Sequence, residues 1–339
     1  MKDHLHIALV YDLRDDYLAQ GLDLEAVAEF DSPATIEALG NAIQALGHRL
    51  ELVGNGLRLA SRLASGQRWD LVFNISEGLR GRSREAQVPA ILEMYGIPYT
   101  FSDPLACALT LDKAMTKRVL LSAGLPTPGF LVANSLEDLE KLDLSLPLFA
   151  KPVAEGTGKG IDANSRIDRL EQLGPVCQRL WQRFKQPVLI EQYLPGREFT
   201  AAILGTDQAA YPIGTIEVKV RQEAPTRDYG LEVKEACERF VQYVPLPAGP
   251  LRSRIEDLAL QTHRLLGCRD ASRVDIRLDA SGEPAILEVN PLPGLHPTHS
   301  DLPMIAQSAG ICYNDLIDRI IQSAIQRQVR SWQAAGRAS

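Results

Sequence analysis

The chain has 339 residues, of which 45% are hydrophobic, 23% charged and 6% aromatic, a composition of folded globular proteins and long enough for more than one domain. Lys and Arg number 36 against 43 Asp and Glu, for a net charge of −7; that is the wrong sign for a coat on a nucleic-acid backbone, so no nucleic-acid partner is expected. No apolar run approaches the ~20 residues of a membrane span, and the opening MKDHLHIALVYD lacks the apolar core of a secretory leader, so a cytoplasmic protein with no membrane partner is expected.

Five scattered cysteines, odd in number and without a CxxC pair, read as buried small hydrophobes in a reducing compartment. His296-Pro-Thr-His299 has a metal-like spacing, but its proline makes it a coil. Loop structure or substrate contact is the better reading there.

The first hundred residues alternate strand and helix patterns. His6–Asp12 is an apolar run of strand length. Ser32 and Pro33 read as N-cap and first residue of a helix whose Ile36, Leu39, Ile43 and Leu46 share a face, closed by Gly47. Arg49–Val53 and Asp70–Ile75 are further strands; Leu57–Ala64 and Glu85–Tyr95 are helices. This order predicts a parallel α/β sheet covered on both faces over 1–104, with ligands at the strands' carboxyl ends, near Tyr11–Asp16 and Ser76–Arg84.

Residues 105–190 read as a small α+β unit. A helix Leu111–Ala123 carries Asp112-Lys113, followed by short strands Gly129–Val132, Leu148–Lys151 and Val188–Glu191 and a helix near Leu170–Phe184. Residues 191–330 have longer strands, Glu198–Gly205 and Tyr211–Val220, a hairpin, and helices Arg252–Leu266 and Asp315–Gln328. The stretch 331–339 reads as a frayed tail.

Ser272–Pro291 is the most informative segment: two alternating strands around Asp-Ala-Ser-Gly. Residues two apart share a face, so Arg273, Asp275 and Arg277 lie on one side. Glu288 and Asn290 share a face in the second strand, with Leu287 and Val289 opposite. Two carboxylates and a carboxamide oxygen on one polar face are the hard-oxygen set that suits Mg²⁺. A solvated outer sheet face would carry the same residue types.

Lys151 ends a strand and leads into Pro152-Val153-Ala154-Glu155-Gly156-Thr157-Gly158-Lys159-Gly160. Glycine-freed amides can cradle phosphate, and lysine supplies a point charge. The loop matches neither the GxxxxGK[ST] nor the GxGxxG spacing, and by itself a glycine loop is as well explained by a turn. Lys113 and the Glu191-Gln-Tyr193-Leu194-Pro-Gly-Arg-Glu198 turn add a second cation and two carboxylates able to take ribose hydroxyls.

In this order the pieces LDKAMTKRVLLSAGLPTPGF, AKPVAEGTGKGI, EQYLPGRE, RVDIRLD, LEVNPLPGL and DLPMIAQSAG resemble the ATP-grasp superfamily and, within it, the D-alanine–D-alanine ligases. The resemblance runs from about Asp70 to Gly310. It implies three lobes, an N-terminal parallel-sheet domain followed by two ATP-grasp lobes that grip ATP, and an ATP-dependent ligase joining a carboxylate to an amine through an acyl phosphate. Lys113 and Lys151 would hold the α- and β-phosphates, and the Glu155–Gly160 loop, with Gly156, Thr157, Gly158 and Gly160, would close over them. Glu191 and the Tyr193–Leu194 backbone would meet adenine, and Glu198 the ribose. Lys219 and Lys234 are the alternatives for the γ-phosphate. Asp275, Glu288 and Asn290 would bind two Mg²⁺, with Mn²⁺ able to substitute. Arg273 and the Gly294 amide would stabilise the oxyanion. Small-molecule carboxylate and amine substrates and a homodimer are the implied partners.

The substrate side departs from that pattern. Tyr11–Asp16 lacks the glycines that follow the family's first strand; Glu29 and Asp31 are the candidates to stand in for the glutamate that holds the first substrate's amine, the alternative for either being a solvated residue or a helix cap. Glu77 replaces a histidine, and Arg80, Arg82 and Arg84 make the following loop basic, which suits an acidic acceptor or a merely solvated loop. The serine–leucine pair for the second substrate's carboxylate reads Ser300-Asp301. A different amino acid or a specialised-metabolite acceptor is therefore the alternative to D-alanine. A non-catalytic nucleotide-binding protein and a kinase are the readings from other classes.

Overall fold

The computed structural model describes residues 4–224 and 230–335, without the side chains of 234, 235 and 329–335. Three sheets organise the described residues. The first is parallel: β1 (His6–Val10) lies between β2 (Arg49–Gly54) and β3 (Leu71–Asn74). A central parallel strand is buried on both faces. Accordingly, Ile7 and Leu9 pack into one apolar cluster with Leu39 and Ile43, and Ala8 and Val10 into another with Leu59, Leu63 and Leu92. The helix Pro33–Ala45 starts as expected, Ser32 accepting the Thr35 amide and Pro33 filling the first turn.

The second sheet joins β4 (Phe130–Ala133), β5 (Leu148–Pro152), β6 (Arg166–Ile167) and β7 (Val188–Gln192) in the order β4-β7-β5-β6, all antiparallel. Glu191 belongs to this sheet, and the chain crosses to the next through 193–197. The third sheet holds β8 (Glu198–Leu204), β9 (Tyr211–Val220), β10 (Val241–Pro245), β11 (Ala271–Leu278) and β12 (Pro284–Asn290) in the order β10-β9-β8-β11-β12.

Two elements differ from the sequence reading. The helix expected over 111–123 is Lys113–Ser122, and a further helix, Pro104–Leu111, precedes it unanticipated; Asp112 separates the two by taking an extended conformation and caps the second by accepting the Met115 amide. Apolar periodicity runs through such a break unchanged, so only the capping chemistry reveals it. The last helix spans Tyr313–Ala335 and takes in five residues of the stretch expected to fray, while 336–339 lie outside the described residues. Its Leu316, Ile317, Ile320 and Ile321 share one apolar cluster with β1, which seats the first lobe on the third. Buried Asp270 reinforces that seat by accepting from the Phe101 amide at 2.7 Å, Ser323 at 2.8 Å and Arg327 at 2.9 Å. Among the described residues, no helix is long and apolar enough to cross a membrane.

Candidate active site

A cavity of about 650 Å³ opens where the three lobes meet, lined from the first by Glu29, Asp31, Glu77 and Glu85, from the second by Lys113 and the Glu155–Thr157 loop, and from the third by Arg273, Glu288, Asn290, Gly294 and Ser300. The two strands of the β11–β12 hairpin pair Arg273 with Asn290 and Asp275 with Glu288, so these four side chains share one face. The register then slips, leaving Leu287 unpaired. Alternation had placed Leu287 on the core side. The bulge turns it instead to the cleft beside Glu288, and Ile286 takes the buried position.

Asp275 is tightly surrounded. It accepts from Thr200 at 2.9 Å, from Arg273 at 3.1 Å through two nitrogens, and from Asn290 at 3.3 Å. Arg273 also reaches Asp301 at 3.2 Å, and these carboxylates hold its guanidinium charged far beyond any working pH despite burial. Asp301 opens the helix Asp301–Ser308, and Ser300 accepts the His296 amide at 3.0 Å. An added methyl at Gly294 would lie 2.8 Å from the Ser300 hydroxyl, so glycine is what lets the 291–300 loop fold against itself.

The lysines come from two elements. Lys113 begins its helix just after the Asp112 cap. Its ammonium donates to the Glu155 carbonyl and stands 3.6 Å from Glu288 across the cavity. Lys151, at the end of β5, lies 2.7 Å from Glu191, and Lys117 approaches the other oxygen of Glu191 at 2.5 Å. These two cations outweigh burial and depress the Glu191 carboxyl to about 2. Burial lowers Lys117 to about 8, while the neighbouring carboxylates raise Lys151. Lys117 was not anticipated. Its spacing of four from Lys113 puts both on one face of the helix, but a lysine there usually faces solvent.

Glu191, Tyr193, Leu194 and Glu198 line a narrow second cleft of about 80 Å³ between the second and third sheets, with Asp275 and Glu288 at its inner end. The Tyr193 amide donates to the Pro147 carbonyl at 3.1 Å. Glu198 pairs with Arg277 at 3.5 Å, and Arg277 donates to the Tyr193 hydroxyl at 2.9 Å while lying over its ring. Arg277 thus narrows this cleft, a role its position two residues from Asp275 did not disclose.

The glycine loop is shaped by its contacts. Gly158 has φ +74°, and a side chain there would meet the Leu231 backbone at 2.8 Å. Gly156 donates its amide to Glu29 at 2.5 Å. Lys159, which the loop pattern left without a role, pairs with Glu155 at 2.5 Å and Glu29 at 3.1 Å. Lys234 lies on the helix Leu231–Glu235, and its side chain is outside the described residues. Lys219, on β9, stands 3.4 Å from Glu217.

The basic loop does not face the cavity. Arg80 is exposed, Arg82 donates to Asp112 at 2.7 Å from the outer side, and Arg84 is buried between Glu29 at 2.8 Å and the Ala154 carbonyl at 2.9 Å. Arg82 and Arg84 line a separate cavity of about 700 Å³, where Asp112 and Glu29 already hold them. Glu29 is occupied as well, accepting from Arg84, Lys159 and Gly156. Asp31, Glu77 and Glu85 remain on the cavity wall. Burial and neighbouring acids raise Asp31 to about 8, Glu85 to about 7, and Glu77 well above the usual carboxylate range.

Residues 120–322 match the model of the D-Ala–D-Ala ligase C-terminal domain. A D-alanine–D-alanine ligase of Bordetella petrii is 36% identical over 270 residues, covering 78% of this chain and 78% of its own. The protein y4sG of Sinorhizobium fredii is 35% identical over 259 residues, covering 76% of this chain and 75% of its own. A crystal structure of the D-alanine–D-alanine ligase of Bacillus anthracis complexed with ATP superposes with a TM-score of 0.72 at 22% identity, covering 96% of this chain and 99% of that one, and so shares the fold. With the family model and a relative above 30% identity covering most of the chain, the conclusion is direct: the chain belongs to the D-alanine–D-alanine ligase family of ATP-grasp proteins and is an ATP-dependent ligase that forms C–N bonds.

Proposed function

We propose that the cleft activates the carboxyl group of one small molecule with ATP and joins it to the amine of a second through an acyl phosphate. What supports this reading is the meeting of Lys113 with Glu288 at 3.6 Å across the cavity, a lysine of the second lobe against the oxygen-rich hairpin of the third.

The nucleotide would enter the narrow cleft, its base end beside Glu191, Tyr193 and Leu194 and its ribose beside Glu198, which requires Arg277 to swing away from Tyr193. Lys113 and Lys151 would take the α- and β-phosphates. Glu191 serves Lys151 as an anchor that keeps it charged. The loop through Gly156, Thr157, Gly158 and Gly160 would cover the phosphates and exclude water, from which an acyl phosphate needs protection.

Asp275, Glu288 and the Asn290 carboxamide are hard oxygen donors on one face, and they fit Mg²⁺ that completes its shell with phosphate oxygens and water. Two such ions, or Mn²⁺ in their place, would neutralise charge on the phosphoryl group in transfer. The substrate carboxylate oxygen attacks the γ-phosphorus, ADP leaves, and the amine then attacks the acyl carbon. Arg273 and the Gly294 amide would hold the oxyanion of the tetrahedral intermediate until phosphate departs. Ser300 would face the second substrate.

The relatives named for D-alanine make that amino acid the reference substrate, and the altered first-lobe wall argues for a different carboxylate donor. A homodimer in the cytoplasm, with no nucleic-acid partner, completes the proposal; net charge −7 supports the last point. The test is phosphate release from ATP and Mg²⁺ across a panel of D- and L-amino acids, with products identified by mass. Amino-acid-dependent release with an amide product is expected. A stable phosphorylated product without amide would make the protein a kinase instead.

A further inference from the structure

We propose that the carboxylate substrate held against the first lobe is a diamino carboxylic acid, its additional ammonium gripped by Glu77 and Glu85. The inference rests on the ligase reading for the word substrate, but its observations are separate.

The first observation is Glu85. It is only 8% exposed, faces the cavity, and has no side-chain hydrogen bond or ion pair among the described residues. So placed, the Glu85 carboxyl keeps only limited access to water, and Arg84 and Lys113 act on it without pairing with it, a cost that a ligand ammonium would offset.

The second is the way Glu77 is held. Buried Asp12 accepts from the hydroxyl of Ser76 at 2.6 Å and the amide of Gly78 at 2.9 Å, clamping the backbone on both sides of Glu77. Gly78 has φ +70°, with Arg84 backbone 2.7 Å from where a Cβ would stand. The segment is therefore fixed with Glu77 toward the cavity, and the Glu77 carboxylate too has no partner among the described residues.

The third is the fate of the neighbouring cations. Arg84 and Lys159 are committed to Glu29, and Lys159 also to Glu155. Arg82 is turned outward to Asp112. Of the seven carboxylates lining the cavity among the described residues, Glu29 and Glu155 are paired with Arg84 and Lys159, Glu288 with Lys113 and Asp301 with Arg273, which leaves Asp31, Glu77 and Glu85. A fully ionised ATP with two divalent cations adds no net charge, and neither does a neutral zwitterionic amino acid. The acid surplus on the first-lobe wall thus persists with ordinary substrates bound. A second ammonium on the substrate relieves it, through charge-assisted hydrogen bonds to two acids that nothing else satisfies.

Calorimetric binding tests this directly. The full chain is loaded with a non-hydrolysable ATP analogue and Mg²⁺, and ornithine and 2,4-diaminobutyrate are titrated against norvaline and 2-aminobutyrate, both enantiomers of each. The diamino compounds are expected to bind about tenfold or more tightly, with Glu77→Gln and Glu85→Gln each shrinking that ratio. Equal or tighter binding of the neutral compounds to the unmutated chain overturns the proposal, whatever the variants do. Phosphate release in the same panel separates the two readings. Preferred binding of diamino acids without any turnover would overturn the ligase proposal alone, and amide formation from alanine with diamino acids ignored would overturn this one alone.

Discussion

The guanidinium of Arg273 is shared between Asp275 on its own strand and Asp301, 3.2 Å away at the start of the helix Asp301–Ser308. The pair ties Arg273, the arginine proposed to hold the oxyanion, to the loop that would receive the second substrate, so Asp301 would act by orienting Arg273. Arg273→Lys keeps a charge but loses the fork that both acids engage. It is expected to lower kcat by roughly 10²–10³-fold, the usual cost of an oxyanion donor, with little change in melting temperature. Asp301→Asn should have a smaller effect on kcat. Steady-state phosphate release checks both.

The cluster of Lys117, Glu191 and Lys151 makes a stability prediction. Glu191→Gln takes the shared carboxylate from two buried ammonium groups, leaving Lys117 the Thr127 hydroxyl and both a neutral amide, and a cost of about 3–5 kcal/mol in denaturant unfolding is expected. The pH dependence follows from the depressed carboxyl. Folding lowers Glu191 from 4.5 to about 2, so its contribution is fully present above pH 4.5 and is lost as pH falls toward 2. Unfolding curves should therefore show the unmutated chain losing stability more steeply across that window than Glu191→Gln does.

Gly158 separates the phosphate loop from the Gly230–Leu231 backbone. Gly158→Ala adds a methyl group where φ is +74° and Leu231 stands 2.8 Å away, and strain of about 1–2 kcal/mol is expected. If loop closure precedes chemistry, that strain appears as a fall of roughly tenfold in kcat/KM for ATP, with unfolding of the rest of the chain unchanged. Unaltered ATP kinetics would remove the loop from the mechanism.

Much of this site was legible in the residue pattern because the responsible chemistry is local. Period-two alternation put Asp275 and Glu288 on the polar faces of neighbouring strands, and the register sets them opposite each other; Ser32-Pro33 announced its helix. What escaped depends on long-range capture of charge. Arg84 looks like a solvated loop residue until Glu29, 55 positions away, is folded beside it. Lys117 looks like helix surface until Glu191 arrives from another strand. Leu287 changed face because of a bulge that no alternation pattern contains. Glu77 was picked out where it replaces a histidine, whereas Glu85 was overshadowed by the arginines before it, two of which carboxylates hold.

Asp275 supplies the sharpest test of the metal reading. Asp275→Asn removes a carboxylate from the proposed Mg²⁺ ligands and from Arg273 together, so phosphate release should fall at least about 10²-fold and resist rescue by Mn²⁺. Retained Mg²⁺-dependent release would place the metal elsewhere.

The acyl phosphate itself can be traced. The carboxylate donor that drives phosphate release is supplied with ¹⁸O in its carboxyl group, and the released phosphate is analysed by mass. Attack of that carboxylate on the γ-phosphorus predicts phosphate carrying one ¹⁸O, with the other retained in the amide. Phosphate released without label would show that its oxygen came from water, and would contradict the account at its centre.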